Sequence, residues 1–370
     1  MLKDTSSTLN GSTALTRRRF LGGAAAIATV SAVGMPAVVR AQSAPLKVGT
    51  YGGYFQESFE KHIYPDFTAE TGIEIESIGE PTGEAWLVQL EAAARAGQAP
   101  ADVSMMSQLT RIKGVNSKLW APLDAAKLPN IANLEDHFIT KDEAGGVTSV
   151  GAVSWWITIA TNTEAYPEAP TSWKFLWDEA NRDKLGLLAL SSNSFLLEVT
   201  ARTWFGGTDT LSTDAGLDQV FAKLAELKPN VRLWYRDEGQ FQQALETGEI
   251  PAGQYYHDVT TLAASQGKPV RSTFPEEGGI LDSGSWVVSK ASKSVDQATI
   301  FIDYMSRPDI QAKLSRQVGT SPTVRRELTD LTDEEFGAVS SAIPPILPRY
   351  DLHVDRGDEI AQRWSEAIVS

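Results

Sequence analysis

Leu46-Lys47-Val48-Gly49-Thr50-Tyr51-Gly52-Gly53-Tyr54-Phe55-Gln56 is the stretch on which the reading of the chain turns. Leu46 and Val48 alternate with Lys47 and Gly49, which is the period of a strand. Gly52-Gly53 permits a sharp turn without side chains in the way, and a tyrosine stands on either side of it. A helix starts after the turn, so its first free N–H groups point toward the carboxyl end of the strand. Ligands of open α/β sheets bind at such edges, which makes Tyr51 and Tyr54 candidate binding residues. By itself a Gly-Gly pair marks a turn and nothing more; the flanking sequence gives it weight.

Downstream, apolar residues at Phe59, Ile63 and Phe67 have helical spacing, and Pro65 splits that segment. Residues 73–78 alternate as a second strand, 84–96 form a helix, and 102–106 form a buried strand ending at Ser107. This β-α-β-α-β order predicts a largely parallel sheet covered by helices. Residues 147–161 read as a long strand that carries the chain into a second domain. Trp155 and Trp156 lie within it and face opposite sides, so one of them at most lines a cleft. Strands follow at 185–190, opening into Ser191-Ser192-Asn193-Ser194, at 231–234, and at 252–256, opening at His257-Asp258. Helices separate them, at 171–178, 195–204, 217–227 and 241–245. A turn at 274–280, a strand at 285–288 and a run of helices complete the chain. The fold expected is α/β and two-lobed, each lobe a central sheet flanked by helices, with hinge strands between. The first lobe takes residues 42–155 plus 262–318, the second 156–261 plus 319–370.

Residues 1–41 read as an export signal. Arg17-Arg18-Arg19-Phe20-Leu21 is a twin arginine followed by Phe-Leu, and a small, apolar run from Gly22 to Val39 comes next. Val39-Arg40-Ala41 suits a signal peptidase, which makes Gln42 the first mature residue. The pattern resembles a twin-arginine signal and places the protein in the periplasm. Losing five basic residues and one acidic residue takes the formal charge from -14 to about -18. Nucleic acid and anionic membrane surfaces require a basic face and are excluded as partners. With no cysteine in the chain, disulfides and thiolate metal sites are excluded too. No cofactor and no metal site is expected.

Several stretches resemble the bacterial extracellular solute-binding proteins of ABC importers, spermidine/putrescine type. Phe67-Thr68-Ala69-Glu70-Thr71-Gly72-Ile73 is similar to their F-x-x-E-T-G-I segment. Thr171-Ser172-Trp173-Lys174-Phe175-Leu176-Trp177 is similar to T-S-W-x-x-L-W, and Pro275-Glu276-Glu277-Gly278-Gly279 to the P-x-E-G-G turn. Arg307-Pro308-Asp309 and Ser321-Pro322-Thr323 fall where the family has R-P-D and Y-P-T-P. The resemblance implies two α/β lobes closing on a small molecule and delivering it to permease subunits in the inner membrane, as a monomer. By rough alignment it also implies a set of ligand positions. Tyr51, Tyr54 and Ser107 keep the family's residue types. Ser192 and Asn193 replace carboxylates, Tyr256 replaces a tryptophan, and Asp282 stands in the Trp-then-Asp segment after the Gly-Gly turn.

A long diamine needs a counter-charge at each end. This chain has fewer carboxylates at those positions and adds Arg236 on a loop beside them. Arg236 and Asp258 suit a zwitterion, the guanidinium taking a carboxylate and the aspartate an ammonium. The function expected is therefore capture of a small amine or zwitterion without catalysis. The alternative is an exported α/β hydrolase or lyase. Against it, the chain has no Gly-x-Ser-x-Gly elbow, and of its four histidines only His257 lies at a cleft edge.

Overall fold

The computed structural model describes residues 44–81 and 84–369; the export signal read above lies outside them. The chain begins β1 (Leu46–Tyr51), α1 (Tyr54–His62), α2 (Tyr64–Thr71), β2 (Ile75–Glu80), α3 (Glu84–Arg95), β3 (Val103–Ser107) and α4 (Gln108–Asn116). A short β4 (Ile139–Lys141) and the long β5 (Val147–Asn162) follow, then β6 (Leu185–Leu188), α5 (Ser191–Ser194) and α6 (Leu196–Phe205). Next are α7 (Asp214–Ala225), β7 (Val231–Tyr235), α8 (Glu238–Thr247), β8 (Ala252–Tyr256) and α9 (His257–Ser265). Last come β9 (Val270–Thr273), β10 (Ile280–Val288), α10 (Val295–Met305), α11 (Pro308–Val318), α12 (Asp333–Val339), α13 (Tyr350–Asp355) and α14 (Gly357–Val369).

Pro65 sits in the first turn of α2, where its missing N–H costs nothing, and Gly72 ends that helix at φ 72°. The sheet runs β2-β1-β3-β10-β5-β8-β6-β7. β1 pairs in parallel with β2 and β3, and β6 pairs in parallel with β7 and β8. Between the two parallel sets lie β10 and β5, antiparallel to each other and to their outer neighbours. The expectation of a separate sheet per lobe thus becomes one hydrogen-bonded sheet, because β5 is shared. Along β5, Val147 through Trp156 feed one apolar core with Leu46, Phe59, Trp286 and Phe301. Ile157, Ile159 and Ala160 feed a second, with Trp173, Leu185, Phe241 and Trp364. Val324 joins the first core and Ile346 the second, so the chain passes between cores again in its last quarter.

One expected element differs and two others are new. The helix at 171–178 is a single 3₁₀ turn, Trp173–Trp177, capped by the Ser172 hydroxyl, which accepts from the Lys174 N–H. α4 and α9 were not expected at all, and both follow strands that carry candidate residues. The stretches that resemble the family hold one another rather than an open surface. Trp173 Nε1 donates to the Gly278 carbonyl at 2.8 Å, and its backbone N–H donates to Glu277 at 3.1 Å. Arg307 pairs with Glu70 at 2.7 Å, and Trp156 Nε1 donates to the Ser321 hydroxyl at 3.1 Å.

Candidate functional site

Every parallel strand of both halves ends near a candidate. β1 ends at Tyr51, β2 at Glu80, β3 at Ser107, β6 just before Ser191–Ser194, β7 just before Arg236, and β8 at Tyr256. Asp282 enters from the middle of the sheet, on β10 opposite Trp155 of β5. It is the most heavily partnered acid of the set. Its Oδ1 accepts from the Ser283 N–H at 2.7 Å and from the Tyr350 hydroxyl. Trp155 donates to it as well, and desolvation, the largest effect, still lifts its pKa to about 6.

Aromatic side chains close around this carboxylate. Tyr51 stands edge-on to Trp155 at 6.5 Å and to Phe55 at 5.8 Å. Its hydroxyl is buried with no hydrogen-bond partner. Burial raises its pKa strongly, and the charges of Asp282 and Glu80 raise it further. Tyr256 donates to Glu238 at 3.0 Å and feels the Asp282 charge after that of Glu238. Beyond it, Asp258 opens α9. Its Oδ1 is buried and unpaired, and burial lifts its pKa to about 6, with Glu238 adding to the rise. Asn193 also keeps a buried, unpartnered side-chain oxygen.

The floor of the first half is Glu80, buried at the end of β2 beside Tyr51 in the register of the strand pair. Desolvation lifts it to about 8, against donors from Ser104, Met105 and Trp86. A Cβ at position 49 would stand 2.1 Å from Glu80 Oε1, so a larger residue there would push the Glu80 side chain aside.

The remaining candidates have other partners. Tyr54 is 63% exposed, and its hydroxyl donates to the Val318 carbonyl at 3.3 Å. Ser107 is tied to Thr110 at 2.8 Å in the first turn of α4. Ser192 and Arg236 line a cavity of about 890 Å³ together with Leu109, Lys113, Trp234 and Trp364. Among the described residues its walls include none of Tyr51, Tyr256, Asp258 and Asp282. Of the expected charge pair, Arg236 lines this cavity and Asp258 is not among its walls. Trp156 is buried in the first core, whereas Trp155 reaches Tyr51 and Asp282.

Three residues of this region had no place in the sequence reading: Glu80, Tyr350 and Arg111. A carboxylate at the end of a strand next to a glycine strand is a usable signal for Glu80. Tyr350 and Arg111 carry none, since one lies in a loop-to-helix junction and the other in an unexpected helix. Among the described residues no cluster of His, Asp or Glu is arranged to hold a metal, and no helix is long and apolar enough to cross a membrane.

An aromatic-walled acid at the carboxyl edge of a two-core sheet is the architecture of a ligand-binding cleft. The sequence profile of the bacterial extracellular solute-binding proteins matches residues 63–336, and the chain belongs to that family. It is 26% identical over 342 residues to the gamma-aminobutyric acid-binding protein of Pseudomonas aeruginosa, covering 89% of this chain and 92% of that one. Its fold matches an ABC transporter substrate-binding protein from Bradyrhizobium japonicum with a TM-score of 0.72 at 22% identity, over 87% of this chain and 99% of that one. It also matches the spermidine/putrescine substrate-binding protein PotD of Streptococcus pneumoniae, TM-score 0.68 at 19% identity, over 87% and 99%. The two-lobed binding fold expected from the sequence is thus present, and the chain is a solute-binding component of an ABC transporter. Nothing among these relatives supports an exported hydrolase.

Proposed function

We propose that this chain captures a small organic amine, of polyamine or gamma-aminobutyrate type, and hands it to ABC permease subunits without altering it. The observation that supports this best is the Asp282 site. A carboxylate ringed by Tyr51, Trp155, Tyr256 and Tyr350 offers an ammonium one full counter-charge and several aromatic faces. The buried, unpaired oxygens of Tyr51, Asp258 and Asn193 add to it, because buried polar groups in folded proteins are ordinarily satisfied. An ammonium-bearing ligand supplies those missing donors. The names of the Pseudomonas and Streptococcus relatives point to the same chemistry.

In this reading the lobes follow the two apolar cores, and β5 and β10 are the hinge strands. The mature protein works in the periplasm as a monomer, addressed there by Arg17 and Arg18. Replacing both with lysine strands the precursor in the cytoplasm, and cell fractionation checks this. The ligand class is tested by thermal shift of residues 42–370 against butane-1,4-diamine, spermidine, 4-aminobutanoate and a neutral sugar. A true ligand stabilises by about 2.7 kcal/mol at a hundredfold excess over its dissociation constant, and it is recovered unchanged. Failure of all three amines overturns the proposal.

A further inference from the structure

α12 belongs to neither of the two apolar cores: none of residues 333–339 is a member. It packs against α11 on one side and α9 on the other. α11 contributes Ile310, Leu314 and Val318 to the first core, and α9 contributes Ala263 to the second. Toward α11 the tie is ionic. Arg316 donates from Nε and Nη2 to the two oxygens of Glu335, at 2.7 and 3.0 Å, and from Nη1 to Asp330 at 3.0 Å. This guanidinium holds Glu335 down at a pKa of about 2. Toward α9 the tie is a buried imidazole. His257 Nε2 donates to the Gly337 carbonyl at 2.9 Å, which leaves Nδ1 to accept from the Ser272 hydroxyl at 2.8 Å. The flanking chain repeats the division. Before α12, the Arg325 N–H donates to the Asn133 carbonyl at 2.9 Å, next to Leu134 of the first core. After it, Ile346 of the second core donates to the Gly279 carbonyl at 2.8 Å.

Trp156 of β5 and Leu281 of β10 are register partners, one residue along from Trp155 and Asp282. Side chains alternate across a strand, so the two pairs face opposite sides of the sheet. Trp155 and Asp282 face the candidate ligand site. Trp156 and Leu281 line a cavity of about 490 Å³, and Phe336 of α12, with Ile343 and Pro344 beyond it, lines it too. The helix thus shares a space with β5 and β10 on the face away from Asp282, and that space leaves the two strands room to bend. A rotation about them that narrows the cleft face moves α11 and α9 apart on the far face. Ties placed on the far face resist that rotation.

We infer that α12 is a strap that restrains lobe closure, with Glu335 and His257 as its two catches, and that releasing either catch tightens ligand binding. The inference rests on the hinge reading above and adds a control element to it. Work done in stretching the strap is subtracted from the observed affinity, because a protein held mostly open binds in proportion to its closed fraction. A contact that serves only to hold the fold together has the opposite signature: its loss leaves binding unchanged or weakens it.

The test compares residues 42–370 of the parent chain with Glu335→Gln, His257→Phe and Lys313→Gln. Glu335→Gln keeps the helix cap, since glutamine also serves in a capping box, and removes the charge that Arg316 holds. His257→Phe keeps an aromatic ring and removes both hydrogen bonds. Lys313→Gln is the control: its partner Asp66 stands on α2, which shares the first core with α11, so that pair does not cross the hinge. Calorimetry with butane-1,4-diamine, spermidine and 4-aminobutanoate gives affinities, and small-angle scattering gives the radius of gyration with and without each compound. Glu335→Gln tightens binding about two- to fivefold, the range of an exposed ion pair, and His257→Phe at least as much. Both are more compact than the parent without ligand, and Lys313→Gln matches the parent. If His257→Phe does not fold, Glu335→Gln decides alone. Binding unchanged or weakened in either folded strap variant, or an equal gain in Lys313→Gln, overturns the strap. A parent whose radius does not fall on saturation overturns the hinge reading instead. If the parent binds none of the three compounds, the amine-binding reading fails, and the ligand-free radius of Glu335→Gln decides the strap: smaller than the parent upholds it, equal overturns it.

Discussion

Asp282 and Asp258 share an elevated pKa of about 6 and a common cause in burial, but their surroundings differ. Asp282 is held on a central strand and already accepts from Tyr350, Ser283 and Trp155. Asp258 sits at the start of a helix on the other core, faces the like charge of Glu238, and has one oxygen with no donor. One carboxylate is fixed in place before any ligand arrives; the other is left in deficit. Rigid positioning lets a site recognise a charge without reorganising, whereas a deficit makes closure onto a ligand favourable only when the ligand supplies the donor. The first corner suits recognition and the second suits the coupling of recognition to lobe closure.

The contrast predicts unequal mutants. Asp282→Asn removes the counter-charge of the ammonium and weakens amine ligands by about 2–5 kcal/mol, the usual loss for one partner of a buried pair. An unchanged dissociation constant by calorimetry would erase the distinction between the two corners.

Asp258→Asn keeps an acceptor and removes the charge, so its cost to binding is nearer that of a hydrogen bond to a charged group, about 1.5–3 kcal/mol. Its effect on the unliganded protein has the opposite sign. The folded value of about 6 lies above the ordinary aspartate value, so the unfolded chain releases this proton first. Stability without ligand therefore falls as pH climbs from roughly 4 to beyond 6, and Asp258→Asn flattens that fall. Melting temperatures at pH 5 and pH 8 check it; a slope identical to the parent would mean that Asp258 is already paired.

Ligand binding runs the other way with pH. An ammonium favours the ionised carboxylates, so affinity rises from pH 5 to about 7 and levels off, with proton release in the lower part of the range. Calorimetry in two buffers of different ionisation enthalpy measures those protons. Their loss in Asp282→Asn, with retention in Asp258→Asn, would assign the titration to the sheet corner alone.

The smallest change expected is from Tyr350→Phe. The phenol's hydrogen bond favours the ionised Asp282, and its loss of about 0.5–1.5 kcal/mol moves the midpoint of the binding profile upward by roughly half a unit to one unit. A downward move would show that the phenol donates elsewhere when ligand is bound.

Much of the architecture could be read from the chain because its strands are short, apolar and bounded by glycine or polar turns. β1, β2, β3, β5, β7 and β8 lie within a few residues of their expected positions. α4 escaped because it inverts the usual pattern. It buries Thr110, Arg111 and Gly114 and leaves Val115 41% exposed, so apolar periodicity points to the wrong face or to none. Gly114 has a reason of its own: a Cβ there would meet the Trp120 ring at 2.1 Å. That reason arises six residues later and is invisible locally. The candidate site was legible where its residues stand at or just after strand ends, as at Tyr51, Tyr256 and Asp258. Tyr350 reaches Asp282 across 68 positions of sequence, a pairing that no local pattern announces.

The sharing of β5 between two cores sets the order in which the protein can be completed during synthesis. The first core needs Trp286, Phe301 and Val324, and the second needs Ile346, Leu352, Trp364 and Ile368. An emerging chain of 250 residues has made most of its strands and can finish neither core. Both halves must wait for the last quarter of the polypeptide, the second for its closing helix, so each nascent molecule spends most of its synthesis with an open sheet. A chaperone that shields the β5 edge has the whole of that interval in which to act.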